Sequence, residues 1–258
     1  MYGSLSVAEV LQAYSQREPA LLYEPFVRKL EAVESLTDKE KEAAVALCSD
    51  VRIVERRSDI ITLGRDPDRV HIILDGWAAR YSVLPNGSRR ITAFLLPGDF
   101  CDIHVTTLSV MDHSILAITD CTVAYVLPGL IDDITRSTPD LTRAFWRSIL
   151  IDEAILRQWL VNSGRRDALE AVAHLVCELH ARMKLVGLVE DGRFELPVTQ
   201  EEFGDATGLT AVHVNRTIKT LRGSGLLSIG KGVLQVPDVE ALRRFCGFDP
   251  RYLHLRKS

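Results

Sequence analysis

The chain has 258 residues, 47% of them hydrophobic and 26% charged, which suits one large or two medium cores and excludes disordered, collagen-like and rod-like classes. A formal charge of −4 at pH 7 gives no sign of nucleic acid in the sum, so the charge has to be read by segment. The longest uncharged apolar run, Cys121 to Ile131, is interrupted by Pro128 and Gly129 and falls short of a bilayer span, and the opening MYGSLSVAEVLQAY has no basic stretch before its apolar residues. A cytoplasmic protein outside the membrane is expected.

Five cysteines (Cys48, Cys101, Cys121, Cys177, Cys246) are odd in number, widely spread and without a C-x-x-C pair, so they are expected as buried thiols rather than as a disulfide framework or thiolate metal site. Along residues 1–47 the pattern is helical: VAEVLQAYSQRE, a break at Glu24-Pro25, FVRKLEAVESL, and TDKEKEAAVALC capped by Thr37 with Glu40. Residues 48–136 change to short β-rich runs (RIVERR, HIILDGWAARYSVL, RRITAFLL, SILAIT, CTVAYVL) separated by Asp75-Gly76, Asn86-Gly87 and Pro97-Gly98-Asp99. Turn signals about ten residues apart with no long helix between them predict an antiparallel barrel or double-sheet roll.

Ser137-Thr138-Pro139-Asp140 predicts a helix start, with Thr138 as N-cap and Pro139 at the first helical position. From Leu141 to Val161, 13 of 21 residues are apolar, a stripe too wide for a helix covering one surface. One face is expected on the roll and the other on the same helix of a second subunit, with Leu141, Phe145, Ile149, Leu156 and Trp159 as dimerisation residues. The pattern alone also allows a helix fully buried in a monomer. Asn162-Ser163-Gly164 is expected to end this segment (137–163), and residues 164–258 to form a separate domain that begins with the helix RRDALEAVAHLVCELHARMKL.

Within that domain, TQEEFGDATGLTAVHVNRTIKTL (199–221) reads as two helices and a tight turn. Thr199 and Glu202 form a capping box, Gly208 ends the first helix in a left-handed conformation, Gly204 leaves room for the crossing, and Thr210 caps the second helix. Ala211, Val214, Ile218 and Leu221 are expected to be buried, leaving Val212, His213, Asn215, Arg216, Lys219 and Arg222 outside. From Thr210 to Gly232 there are four Lys or Arg and no acid, whereas Thr199 to Leu209 holds three acids, the segregation a groove-reading helix needs. GLLSIGKGVLQV then predicts a hairpin wing with Lys231 at its tip. The whole is an α+β chain: antiparallel β-roll, long dimerisation helix and C-terminal winged helix-turn-helix.

This order resembles the Crp/Fnr family of bacterial transcription regulators, through VHIILDGWAARY and ITAFLLPGDF in the roll, GRRDALEAVAHLVCEL after the long helix, and the helix-turn-helix segment itself. The resemblance implies a cyclic-nucleotide-binding-like sensor domain, a homodimer on a palindromic operator in double-stranded DNA, and contact with RNA polymerase if the protein activates. It implies base reading by Val212, Asn215 and Arg216, with Thr210 and His213 near the backbone. Val212 stands where an acid is common in the family, so the half-site does not carry over.

The sensor departs from the family's ligand signatures. Where cyclic-nucleotide-binding members have Gly-Glu and Arg-Ser, this chain has Asp102-Ile103 and His113-Ser114, and the long-helix positions that give hydroxyls to the base carry Leu150 and Ile151. These departures argue against cAMP, although Arg89 or Arg90 could in principle compensate. No cysteine precedes Cys48, which excludes the family's N-terminal iron–sulfur cluster, and Cys101-x-x-His104 leaves haem as a lesser alternative. No cofactor or metal is expected, and Asp102, His104 and His113 are the expected polar lining of the sensor cavity. An enzyme is not expected, because no phosphate loop, G-x-S-x-G or H-E-x-x-H is present. The alternative is a ligand-sensing or docking module whose winged helix binds protein.

Overall fold

The computed structural model describes residues 20–66, 68–103, 107 and 110–255. The helix expected over VAEVLQAYSQRE lies outside them. The first described helix, α1 (Ala20–Glu31), runs through Pro25 instead of breaking at Glu24-Pro25. Proline removes one N–H from the helix, but Leu22, Phe26 and Leu30 are buried on one face, and that packing holds the segment helical. Helix α2 (Asp38–Ala46) starts at the expected capping box, Thr37 with Glu40.

Seven antiparallel strands follow: β1 (Val51–Val54), β2 (Asp59–Ile61), β3 (Val70–Asp75), β4 (Ala78–Val83), β5 (Arg89–Leu95), β6 (Ser114–Ala117) and β7 (Cys121–Val126). They form two sheets, ordered β1-β7-β3 and β2-β6-β4-β5, which is the double-sheet roll expected from the spacing of turns. The core fills the space between them with Ile72, Leu74, Ile91, Phe94, Ile115 and Val123, all nearly inaccessible. All five cysteines are buried thiols, and Cys177 Sγ lies 3.8 Å from Cys246 Sγ.

Helix α3 (Pro128–Ser137) leads into the long α4 (Pro139–Arg165). Thr138 occupies the N-cap position of α4, but its hydroxyl makes no capping bond; its carbonyl accepts from the Thr142 hydroxyl at 2.9 Å. Helix α4 also continues through Asn162-Ser163-Gly164 to Arg165 and turns only at Arg166-Asp167. A single glycine inside a helix costs about 1 kcal/mol, and Trp159 and Asn162 on the same turns are buried.

The two faces of α4 are not divided as expected. Leu141, Phe145 and Trp159 point into their own chain: Phe145 meets Phe100 edge-on at 5.3 Å and Trp159 meets Phe94 at 5.7 Å. They are the contact with the roll, Ile149 is half-buried beside them, and of the five expected dimerisation residues only Leu156 is exposed. The outward apolar stripe is Trp146, Leu150, Leu156 and Leu160, with Leu160 74% accessible.

The C-terminal part starts with α5 (Ala168–Leu185), whose capping box is Asp167 with Glu170. Strand β8 (Arg193–Glu195), α6 (Gln200–Thr207), α7 (Ala211–Gly223), β9 (Ser228–Gly230), β10 (Val233–Gln235) and α8 (Val239–Cys246) complete a winged helix with sheet order β8-β10-β9. The chain ends in a 3-10 turn, Pro250–Leu253.

Candidate nucleic-acid interface and sensor cavities

The helix-turn-helix is built from local chemistry. The Thr199 hydroxyl accepts from the Glu202 amide at 3.2 Å while the Thr199 amide donates to the Glu202 carboxylate at 2.7 Å. Gly208 closes α6 at φ +77°, a conformation glycine enters without penalty, and its amide donates to the Gly204 carbonyl at 2.7 Å. A Cβ at Gly204 would stand 2.4 Å from the Leu209 carbonyl oxygen, so only glycine fits under the turn. The Thr210 hydroxyl then accepts from the His213 amide at 3.2 Å and starts α7.

The inner stripe of α7 is Val214, Thr217 and Leu221, with Ile218 half-buried. Ala211 is exposed, so the buried stripe begins one turn later, at Val214. On the outer side Val212 is 82% accessible, Arg216, Lys219 and Arg222 are exposed, and His213 and Asn215 are half-buried at its flanks. Lys231 sits at the tip of the β9–β10 wing with φ +53°. Among the described residues, the side chains of Arg216, Lys219, Arg222 and Lys231 form no ion pair. Residues 210–232 thus carry four cations without an ion pair among the described residues and no acid of their own, the composition that attracts a phosphate backbone.

The residues expected around the sensor cavity are dispersed. Arg89 Nε donates to Asp205 of α6 at 2.7 Å and Arg90 Nη2 to the Ser163 hydroxyl at 2.6 Å, so both arginines tie the roll to the helix-turn-helix side and are not cavity residues. Leu150 points outward on α4, while Ile151 is buried. Ser114 accepts from the Leu63 amide at 2.9 Å, and His113 contacts Asp112 at 2.6 Å. His104 lies outside the described residues. Only Asp102 and Ile151 face the small cavity of about 50 Å³ between the roll, α4 and α5.

That cavity is walled by charges the sequence reading passed over. Arg80 donates to Asp152 of α4 at 2.8 Å and to the Cys101 carbonyl at 3.0 Å. Arg182 of α5 holds Asp99 at 2.6 Å and Glu178 at 3.3 Å, and Lys29 of α1 lies against the other oxygen of Asp99. Burial works to raise the Asp152 carboxyl, but Arg80, with Arg182 and Lys29 further off, holds it below its usual value. Glu178 is driven the other way: burial raises it against Arg182 and hydrogen bonds from Trp159 and Tyr252. The available signal was a charge set inside an apolar pattern: Arg80 in AARY, Asp152 in ILIDEAIL, and Glu178 in LVCEL.

Comparison with known proteins fits this geometry. Residues 170–245 match the Crp-like helix-turn-helix domain and residues 51–134 the cyclic nucleotide-binding domain. The nitrogen fixation regulation protein FixK of Bradyrhizobium diazoefficiens is 30% identical over 173 residues, covering 66% of this chain and 72% of that protein. This chain belongs to the Crp/Fnr family of bacterial transcription regulators. The transcriptional activator protein FnrL of Cereibacter sphaeroides, also similar, is 26% identical over 222 residues, 84% of this chain and 89% of its own length. The solved structure of FixK2 from Bradyrhizobium japonicum shares the fold with a TM-score of 0.68 at 23% identity, over 76% of this chain and 96% of that one. As a Crp/Fnr regulator the chain carries a helix-turn-helix DNA-binding domain behind a cyclic-nucleotide-binding-type roll. No helix among the described residues is long and apolar enough to cross a membrane.

Proposed function

We propose that this Crp/Fnr regulator acts as a homodimer that reads a palindromic operator with α7 and takes its signal at the roll. The observation that carries the reading is the outer face of α7: Arg216, Lys219 and Arg222 are exposed and unpaired among the described residues, beside the 82% accessible Val212. Arg216 presents a guanidinium fork that suits guanine O6 and N7, Asn215 can pair with an adjacent adenine, and Val212 can pack on a thymine methyl. Lys219 and Lys231 suit phosphates, which hold register but carry no sequence. The outward stripe Trp146, Leu150, Leu156 and Leu160 supplies the self-association surface.

The signal we propose is not cAMP. Arg80 with Asp152, and Lys29 and Arg182 with Asp99 and Glu178, are already paired around the small cavity, and Asp102 would set a carboxylate against a cyclic phosphate. No cofactor is proposed. The name of FnrL as a transcriptional activator supports an activating role, with RNA polymerase as partner. A salt-titrated gel shift on an operator taken from a DNA library tests the reading. Arg216→Ala is expected to cost about 1–3 kcal/mol and relax one guanine, while Lys219→Ala weakens all sequences alike and lowers the salt slope by about one unit. Unchanged affinity and base preference in Arg216→Ala would reject this register of α7, and failure to retain DNA at low salt would favour a protein-docking winged helix.

A further inference from the structure

A second, larger cavity of about 260 Å³ opens on the roll, bordered by the cations Arg52, Arg65 and Arg69, the acids Asp66, Asp68 and Asp102, and the rings of His71 and Tyr125. Its floor is apolar, made by Ile60, Ile61 and Met111, all buried. Its rim is fixed by two backbone bonds between the β2–β3 connection and the segment before β6: Gly64 N–H to the Met111 carbonyl at 2.8 Å and Met111 N–H to the Arg65 carbonyl at 3.0 Å. A cavity with a held rim loses little entropy when it is filled.

His71 is the built part of this site. It is 7% accessible, and Asp102, 2% accessible, takes both its backbone N–H and its Nδ1–H, each at 2.8 Å. A carboxylate accepts only, so Nδ1 carries a proton, and Nε2 on the opposite edge of the ring has no hydrogen-bond partner among the described residues. The ring is braced edge-on by Tyr125 at 4.7 Å, and Arg52 lies 4.3 Å over the Tyr125 face. Both oxygens of Asp102 are occupied and Asp50 neutralises Arg52 at 2.7 Å, while Asp68, the partner of Arg69 at 3.7 Å, is 81% accessible and weakened by solvent. The side chain of Arg65 has no ion pair among the described residues.

We propose that this cavity binds a small oxyanion that also carries a hydroxyl, the shared chemistry of a sugar-type phosphate and a hydroxycarboxylate. Its anionic oxygens meet the forks of Arg65 and Arg69, and its hydroxyl, able to donate or accept, hydrogen-bonds His71 Nε2. Asp102 also borders the smaller cavity at α4, and the preceding Cys101 carbonyl is held by Arg80, which holds Asp152 of that helix. An occupant that moves Asp102 therefore acts on the contact between roll and long helix; its role as the regulator's signal rests on the function proposed above.

Calorimetry on the full chain with sn-glycerol 3-phosphate in one arm and citrate in the other tests the site without DNA. At least one probe is expected to bind with a dissociation constant below about 1 mM. Its affinity should fall about tenfold or more in Arg65→Ala and in Arg69→Ala, and stay unchanged in Lys231→Ala. Neither probe binding, or binding that both arginine variants leave unchanged, would overturn the site. Which arm responds tells phosphate from carboxylate as the source. The responding probe is then added to the operator gel shift: a changed operator affinity supports the signal role, and an unchanged one overturns that role while DNA binding itself stands.

Discussion

Gly204 shows how much of this interface rests on one missing methyl group. The 2.4 Å approach of the Leu209 carbonyl to the place of its Cβ involves backbone, which cannot swing aside as a side chain can. Gly204→Val should therefore open the angle between α6 and α7, cost about 1–3 kcal/mol of stability and abolish operator binding. Thermal denaturation with a gel shift checks it, and a variant with wild-type melting and affinity would contradict the close crossing. Residues of this kind were legible in the sequence because their reasons are local: Thr199 with Glu202, Gly204 with Gly208, and Thr210 with His213 all act within six positions. Ala211 was misassigned because helical spacing gives the direction of a stripe and not the residue at which its burial begins.

At the scale of single elements, α4 separates two roles that apolar content alone merges. The period of the pattern gave two faces, but the aromatic partners Phe94 and Phe100 decide which face turns inward, and they lie in another part of the chain. Leu160→Glu should leave the roll folded and shift a dimer to monomers, read by sedimentation at micromolar concentration with circular dichroism as the control. A variant that remains dimeric would remove the outward stripe from the interface. The junction of α4 and α5 carries a pH dependence of its own. His174 accepts from the Asn162 amide through Nδ1 at 3.2 Å, and burial, with Arg166 nearby, lowers its pKa from 6.5 to about 3. Between those values the unfolded chain holds a proton that the folded chain lacks, so stability falls as pH drops from 6.5 toward 3. Urea midpoints across that range should decline less steeply in His174→Gln than in the wild type; parallel curves would assign the acid sensitivity to other groups.

In the whole molecule, the winged helix is not a loose appendage but is held to the roll by charge. Arg89 reaches Asp205 across 116 residues, and Arg182 joins Asp99 of the roll to Glu178 of its own helix. Such pairs leave no periodic trace, which is why Arg89 and Arg90 read as ligand residues in the sequence and prove to be contacts between domains. The order of parts, by contrast, was legible: turn spacing gave the roll, an apolar run begun by Pro139 gave the long helix, and the caps at Thr199 and Thr210 gave the reading head. Removing Arg182 would leave Asp99 to Lys29 and Glu178 to its hydrogen bonds from Trp159 and Tyr252, and a state in which the winged helix leaves the roll breaks the Arg182–Asp99 pair while Arg182 keeps Glu178 on its own helix. The central claim is that two copies of α7, set by a two-fold axis along the outward face of α4, read DNA together. Sequencing of DNA selected by the wild-type protein from a random duplex library tests it most directly. The account predicts an inverted repeat whose half-site centres lie about one helical turn, about 34 Å, apart and whose halves each hold a guanine that becomes dispensable in Arg216→Ala. Enrichment of a single unrepeated site, or of no sequence at all, would contradict it.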